Sequence, residues 1–268
     1  IDANWTLYNG GKRINTLKQQ QLNNRIADLS VAQSENSIEE SIAQTYVQIL
    51  YATEAVKVNE ATLEVSQAEC ERARALLQAG SIAKSDLAQL EAQVSTDKYQ
   101  LVTAQATLQD YKLQLKQLLE LDGEAEMNLY LPALGDEHVL SPLPTKTDVF
   151  HAALALRPEI EASRLDVQAS ELDISIARAG YIPTLSLSAG IGTTNANGSD
   201  FTFGEQVKQN WNNSLGLTVS IPIFNNRQTK SALQKAKLQK QTSELSLLDE
   251  QKTLYKTIEG LWLDANSA

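Results

Sequence analysis

Few side chains in this chain could carry bond chemistry, and their spacing decides what they are. The 268 residues include two histidines, His138 and His151, and one cysteine, Cys70. A zinc site draws three or four ligands together. His138 falls in a Pro-rich stretch and His151 at the start of a helical pattern, with no third ligand at useful spacing, so both read as surface histidines. A single cysteine makes neither an internal disulfide nor a Cys-based metal motif. Cys70 lies on an apolar helical stripe, where an inert buried thiol is expected. Asp and Glu are spread along helical faces as solvation requires, with no paired-carboxylate signature. Gly190-Ile191-Gly192 lacks the helix that a phosphate-binding loop needs directly after it. Hence no catalytic residue, metal site or cofactor is expected. The net charge of −10 argues against nucleic-acid binding, which needs clustered Lys and Arg.

What remains is architecture, and its strongest sign is a block that occurs twice. Trp5-Thr6-Leu7-Tyr8-Asn9 is matched in kind by Ile221-Pro222-Ile223-Phe224-Asn225, 216 positions later, and each copy runs straight into a long helical pattern. The match continues without a gap: Leu17 falls on Leu233, Leu22 on Leu238, Leu29 on Leu245, Ile42 on Ile258 and Tyr46 on Trp262. Size is kept at core-type positions while polar residues drift, the signature of a duplicated structural unit. The second copy stops at Ala268 in mid-pattern and the first begins at Ile1 with half a strand, so the chain is expected to be a fragment. The repeats divide it into 1–121 (strand, long helix, coiled-coil hairpin), a connector at 122–147, and 148–268 (helix, two strands, long helix).

From about Lys12 to Gln78 there is neither Pro nor Gly, and apolar residues recur every seventh position as Ile42, Ile49, Val56, Leu63, Cys70 and Leu77. About 67 residues of helix would span on the order of 100 Å. Gly80 suits a left-handed C′ position, and Ser85 with Asp86 offers an N-cap and a dipole-matched first turn. A returning helix follows from about Ser85 to Leu121. It carries Leu87, Val94, Leu101, Leu108 and Leu115 on one heptad position and Leu90, Ala104, Tyr111 and Leu118 on the other, with Asp97 as the one polar interruption. The pair is an antiparallel coiled-coil hairpin. Gly123, Pro132, Gly135, Pro142 and Pro144 then punctuate an irregular connector. A third helix is expected from about Asp148 to Gly180, with Pro158 marking either a kink or the first turn of a new helix.

The period then changes from helical to alternating. Leu185, Leu187, Ala189 and Ile191 alternate with Thr184, Ser186, Ser188 and Gly190. Beyond a polar loop, Leu215, Leu217, Val219, Ile221 and Ile223 alternate with Gly216, Thr218, Ser220 and Pro222. Ile1, Ala3, Trp5 and Leu7 alternate with Asp2, Asn4 and Thr6 in the same way. A soluble sheet packed on helices would carry Lys, Glu and bulky polar groups on its solvent face. Here that face is mostly Ser, Thr and Gly, as on the inner wall of a narrow water-filled barrel with lipid outside. Leu185, Leu187, Leu217 and Val219 are therefore expected to face lipid, and Ser186, Ser188, Thr218 and Ser220 to face water. Tyr8, Tyr181, Phe224 and Trp211, at strand ends, resemble interfacial girdles. Three strands cannot close, and a spanning barrel leaves no unpaired edge, so several copies must share one sheet. The fold class is mainly α with a few strands: a long antiparallel helical hairpin plus strands of a membrane β-barrel, internally duplicated.

These residues resemble the TolC-like outer-membrane efflux proteins. The resemblance rests on the strand-to-helix junctions Trp5 to Arg13 and Ser220 to Arg227, and on the run from Leu156-Arg157-Pro158-Glu159-Ile160 to Thr184. It rests also on the turn from Arg74 to Leu87, similar to the family's coiled-coil tip through Arg74, Gly80, Ser85 and Asp86; Arg72 is a rival for the first position. The resemblance implies a homotrimer in which each protomer gives four strands to one twelve-stranded barrel in the outer membrane, among its lipids. The helices would continue the barrel as a tunnel into the periplasm, where their tips dock on a periplasmic adaptor protein coupled to an inner-membrane pump. The expected adaptor-binding tip is Arg74, Ala79, Gly80, Ser81, Ile82, Ala83, Lys84, Ser85 and Asp86, with Ile82 exposed. The duplication also implies that about seventy residues are missing from each end, among them the second hairpin, where the family's acidic constriction lies.

The function this implies is the channel component of a tripartite efflux or type I secretion system, a passive conduit that is not an enzyme. The competing reading is a periplasmic coiled-coil adaptor or another coiled-coil scaffold, which binds proteins and forms no pore. An adaptor would flank one hairpin with compact Gly-rich β domains, whereas this chain places helices on both sides of lipid-style strands.

Overall fold

A computed structural model describes residues 1–122, 129–130, 143–198 and 200–267. The connector residues Gly123, Pro132, Gly135 and Pro142, and His138 among them, lie outside the described residues. The chain forms two compact units, Ile1–Gln33 with Leu143–Ala268, and Ser34–Pro142. One helix contributes to both, so these units cut across the repeats read from the sequence.

In the unit Ser34–Pro142, helix α1 (Lys12–Gln78) contributes its distal part and α2 (Lys84–Leu118) returns along it. Every residue of the heptad stripes from Ile42 to Leu77 and from Leu87 to Leu118 is buried or half-buried. Ile49, Ala52, Cys70, Ala73 and Leu115 form the buried seam, with Cys70 a free thiol as expected. Asp97, the polar interruption, is buried at 3% exposure. Its carboxylate accepts hydrogen bonds from Ser66 Oγ on α1 and, at 2.8 Å, from Gln93 Nε2 one turn back. Burying a carboxylate is costly unless it is hydrogen-bonded, and the cross-helix bond from Ser66 ties the register of the two helices.

In the unit Ile1–Gln33 with Leu143–Ala268, two helices replace the single third helix of the sequence reading: α3 (Lys146–Leu156) and α4 (Pro158–Arg178). Pro158 takes the first turn of α4, where its missing amide proton costs nothing. Arg157 between them is extended, with ψ 121°, as a residue before proline prefers. The α4 helix runs into a 3₁₀ turn (Ala179–Tyr181) and then strand β2 (Thr184–Gly192). The polar loop that follows contains a short helix, α5 (Phe203–Gln209), which the alternating pattern did not reveal. Thr202 heads it, donating from its backbone N–H (2.9 Å) and its Oγ1 (2.7 Å) to the Glu205 carboxylate. Those two bonds, the hydroxyl's first, hold Glu205 below its ordinary pKa. Strand β3 (Asn212–Ser220) and helix α6 (Gln228–Ser267) complete the chain.

The two strand-to-helix junctions share one backbone. Gly10 and Gly11 have φ of 67° and 79°, and Asn226 and Arg227, 216 positions on, have φ of 50° and 61°. Two successive left-handed residues turn the chain from strand into helix in both copies. At Gly10 the left-handed φ is reinforced by packing, since a Cβ there would lie 2.8 Å from Cβ of Ile182. Asn226 is a residue type that tolerates this conformation, whereas Arg227 adopts it at a cost. Asn9 Oδ1 accepts from the N–H of Arg13, and the equivalent Asn225 bonds Thr229.

Helix α4 packs along α6, with Ile160, Leu165, Ala169 and Leu254 buried. The buried hydroxyls of Ser170 and Ser243 share a 2.9 Å hydrogen bond. Helix α3 is held by Phe150, edge-on to Tyr255 at 5.3 Å, and by Lys146. That ammonium pairs with Glu259 at 3.1 Å and sits 5.1 Å above the Trp262 ring.

Candidate functional site: a two-faced sheet and a helical turn

Strands β1 (Asp2–Asn9), β2 and β3 form one antiparallel sheet in that order. In β2, Ser186 pairs with Thr6 on one side and Thr218 on the other, and Ser188 with Asn4 and Gly216. Leu187 pairs with Trp5 and Leu217, and Leu185 with Tyr8 and Val219. Directly opposed residues project to the same face. One face therefore carries Asn4, Thr6, Ser186, Ser188, Thr218 and Ser220, and the other Trp5, Leu185, Leu187, Leu217 and Val219. Leu217 and Val219 are exposed, while Leu185 and Leu187 on the central strand are half-buried by their neighbours. The outer edges of β1 and β3 have no strand partner among the described residues.

One element of the expected alternation is corrected. The register shifts between Thr6 and Tyr8, so that Tyr8, not Leu7, opposes Leu185. Leu7 is the extra residue of a β-bulge, which adds twist where the strand leaves the sheet. Tyr8, Tyr181, Trp211 and Phe224 are all exposed. No helix among the described residues is long and apolar enough to cross a membrane.

If the leucine-bearing face meets lipid and the hydroxyl-bearing face meets water, the two are chemically separable. Single cysteines at Ser186 and Thr218 in the intact protein are expected to react with a membrane-impermeant thiol reagent, and cysteines at Leu187 and Leu217 to stay unlabelled. Equal labelling of both sets would make a soluble sheet the better account.

The turn between α1 and α2 is built by capping. Gly80 has φ +75°; its N–H donates to the Leu77 carbonyl (3.0 Å) and that of Ser81 to the Leu76 carbonyl (2.9 Å). These are the two bonds of a Schellman motif, and they satisfy carbonyls that the end of α1 would leave bare. The start of α2 departs from expectation. Ala83, not Ser85, is the N-cap, and Asp86 at N3 accepts from the Ala83 N–H at 3.3 Å. Ser85 lies inside the first turn, its Oγ donating to Asp86 Oδ1 at 3.3 Å. Ile82 is half-buried rather than exposed. It precedes the N-cap, and Leu87, also half-buried, stands at N4; these are the positions of a hydrophobic staple. Ala79, Gly80, Ser81, Ala83, Lys84, Ser85 and Asp86 are exposed.

Arg74 spans the hairpin, pairing with Glu71 at 2.7 Å and with Glu91 of α2 at 3.0 Å. Its pKa is raised above the ordinary value, chiefly by the hydrogen bond to Glu91. Glu91 was not among the residues picked from the sequence; counting back along the antiparallel register from the turn would have found it. Of the two histidines only His151 is described, exposed on α3 beside Phe150.

Residues 1–120 and 149–268 match the family model described as outer membrane efflux protein. The chain is 26% identical over 204 residues to the pyoverdine export outer membrane protein OpmQ of Pseudomonas putida, an alignment covering 75% of this chain and 41% of that protein. It is 25% identical over 223 residues to the outer membrane protein TolC of Salmonella enteritidis, covering 79% and 43%. It thus spans somewhat under half the length of these relatives. Among solved structures, the CmeC outer membrane channel of Campylobacter jejuni superposes with a TM-score of 0.77 at 18% identity, covering 94% of this chain and 52% of that one. That likeness establishes the TolC-like fold, internally duplicated and mainly helical with a few strands. With the family model spanning both repeats, this chain belongs to the outer membrane efflux protein family.

Proposed function

We propose that this chain is part of an outer-membrane export channel, a passive conduit whose barrel and helical tunnel are completed by three copies of the intact protein. The observation that carries this reading is the sheet: one leucine-bearing face, one hydroxyl-bearing face and two edges that are open among the described residues. An isolated sheet of this kind cannot stand in a bilayer, because each unpaired edge group lacks water to bond. Sharing the sheet among copies removes the edges. Three strands here, and a fourth implied by the duplication, give twelve in a trimer. In this reading the barrel lies in the outer membrane and the helices project into the periplasm. The turn at Gly80 meets a periplasmic adaptor, and an inner-membrane pump supplies the energy and selects the cargo. OpmQ is named for pyoverdine export; here a water-filled conduit would impose little selectivity of its own.

Chemical crosslinking of the intact protein in detergent is expected to stop at three subunits. A stable monomer recovered from outer membrane would defeat the reading.

A further inference from the structure

Where the sheet gives way to the helices, an open cavity of about 750 Å³ is lined by residues of the strands and of α1, α4 and α6. The strands contribute the row Asn9, Thr184 and Ser220, directly opposed across the sheet. That row continues the hydroxyl-bearing face, so the cavity opens on the side assigned to water. Its walls are held within the chain. Thr229, buried at the start of α6, donates from Oγ1 to the Gly180 carbonyl at 3.4 Å, and Gln19 Nε2 ties α1 to Asp173 of α4 at 2.7 Å.

Three charged side chains line the cavity: the ammonium groups of Lys12 and Lys235 and the carboxylate of Asp173. The carboxylate already accepts from Gln19. Neither lysine takes part in an ion pair among the described residues. The cavity thus holds an excess of positive charge in a chain whose net charge is −10. The duplication shows that packing does not demand it. Lys12 corresponds to Gln228 and Lys235 to Gln19, so each lysine stands where the other repeat carries glutamine. Gln228 lines the same cavity, and Gln19 bonds Asp173 in its wall. Either residue type suits the fold, and the charge is additional.

Beside the ammonium groups, Ile176, Ala177 and Ile182 supply apolar wall. A few polar groups set against apolar surface in a space of this size is the make-up of a small-molecule site. We propose that the cavity binds an organic anion, its carboxylate, phosphate or sulfonate held by Lys12 and Lys235 and its apolar body against Ile176 and Ile182. Hydrogen bonds from ammonium to oxyanion are of the stronger, charge-assisted kind. The inference rests on the channel reading, which places the cavity inside the conduit, and adds a point where the conduit distinguishes anions from other solutes.

The test uses naphthalenedisulfonate, a probe too polar to partition into detergent, and the intact protein. Equilibrium dialysis is expected to show saturable binding, weakened about tenfold by Lys12→Gln with Lys235→Gln, since hydrogen bonds to charged groups contribute on that order. Both substitutions borrow the residue of the other repeat, so folding is preserved. Lys18→Gln, at an exposed lysine of α1 outside the cavity, is expected to change nothing. In a planar bilayer the probe should shrink the conductance steps of the wild type and not those of the double variant. Binding that is absent or undiminished in the double variant, or equal block of both proteins, would overturn the site, and conductance steps from the same preparation would leave the channel reading standing. Lysine-dependent binding by a protein that gives no steps would overturn the channel reading and leave the anion site.

Discussion

Gly80→Val is expected to reduce export by the intact protein to the level of a strain lacking the channel, while trimer formation and membrane insertion stay close to wild type. The backbone at Gly80 has φ +75°, a conformation that costs an L residue roughly 1–2 kcal/mol and a β-branched one more. Steric crowding plays no part, since a Cβ at Gly80 would meet nothing within 4 Å. The strain is relieved only by reshaping the turn, which breaks the two bonds from Gly80 and Ser81 to the last carbonyls of α1. The exposed backbone proposed to meet the adaptor then changes, together with the surroundings of the half-buried Ile82. Efflux of a dye substrate and adaptor pull-down should fall together. Normal export and normal adaptor binding by this variant would leave the segment an ordinary turn. Gly80→Ala, which adds the strain without β-branching, is expected to fall between the two.

The second large effect is expected on the sheet. Leu187 lies on the central strand between Trp5 and Leu217, so Leu187→Lys places a charge in the middle of the face assigned to lipid. Such a charge near the bilayer midplane costs about 2–4 kcal/mol in a transmembrane barrel. Ser188→Lys, one residue on, lies on the opposite face, the one assigned to water, and should cost far less. Thermal unfolding of the two detergent-purified trimers separates the cases: a marked loss for Leu187→Lys and near-wild-type behaviour for Ser188→Lys. Equal losses would remove the distinction between the faces.

The sequence was most readable where periodicity is enforced by packing. The seven-residue spacing from Ile42 to Leu77 and from Leu87 to Leu115 marked a hairpin whose seam is buried as expected. The alternation in β2 and β3 survives as a register in which like residues oppose like. What escaped detection was decided by backbone geometry rather than by polarity. The bulge at Leu7 leaves the run of apolar residues intact and shifts only the pairing. Ser85 is a better N-cap by residue type than Ala83, yet the cap falls two residues earlier, where the Asp86 carboxylate bonds the Ala83 N–H. Ile82 was read as exposed at the turn, yet it is half-buried, at a staple position whose partner position, Leu87, lies five residues along the chain. The short helix α5 did carry a legible sign, Thr202 followed by Glu205, a capping-box spacing. Which face of each long helix is covered was invisible in sequence, since Leu22 is half-buried and its repeat counterpart Leu238 is exposed.

The central claim is that the two faces of the sheet meet lipid and water in one shared barrel. Conductance of the purified intact protein in a planar bilayer tests it most directly. Discrete steps are expected, shrinking when a cysteine at Ser186 is modified with a bulky impermeant thiol reagent and unchanged for a cysteine at Leu187. Absence of steps, or equal sensitivity at the two positions, would contradict it.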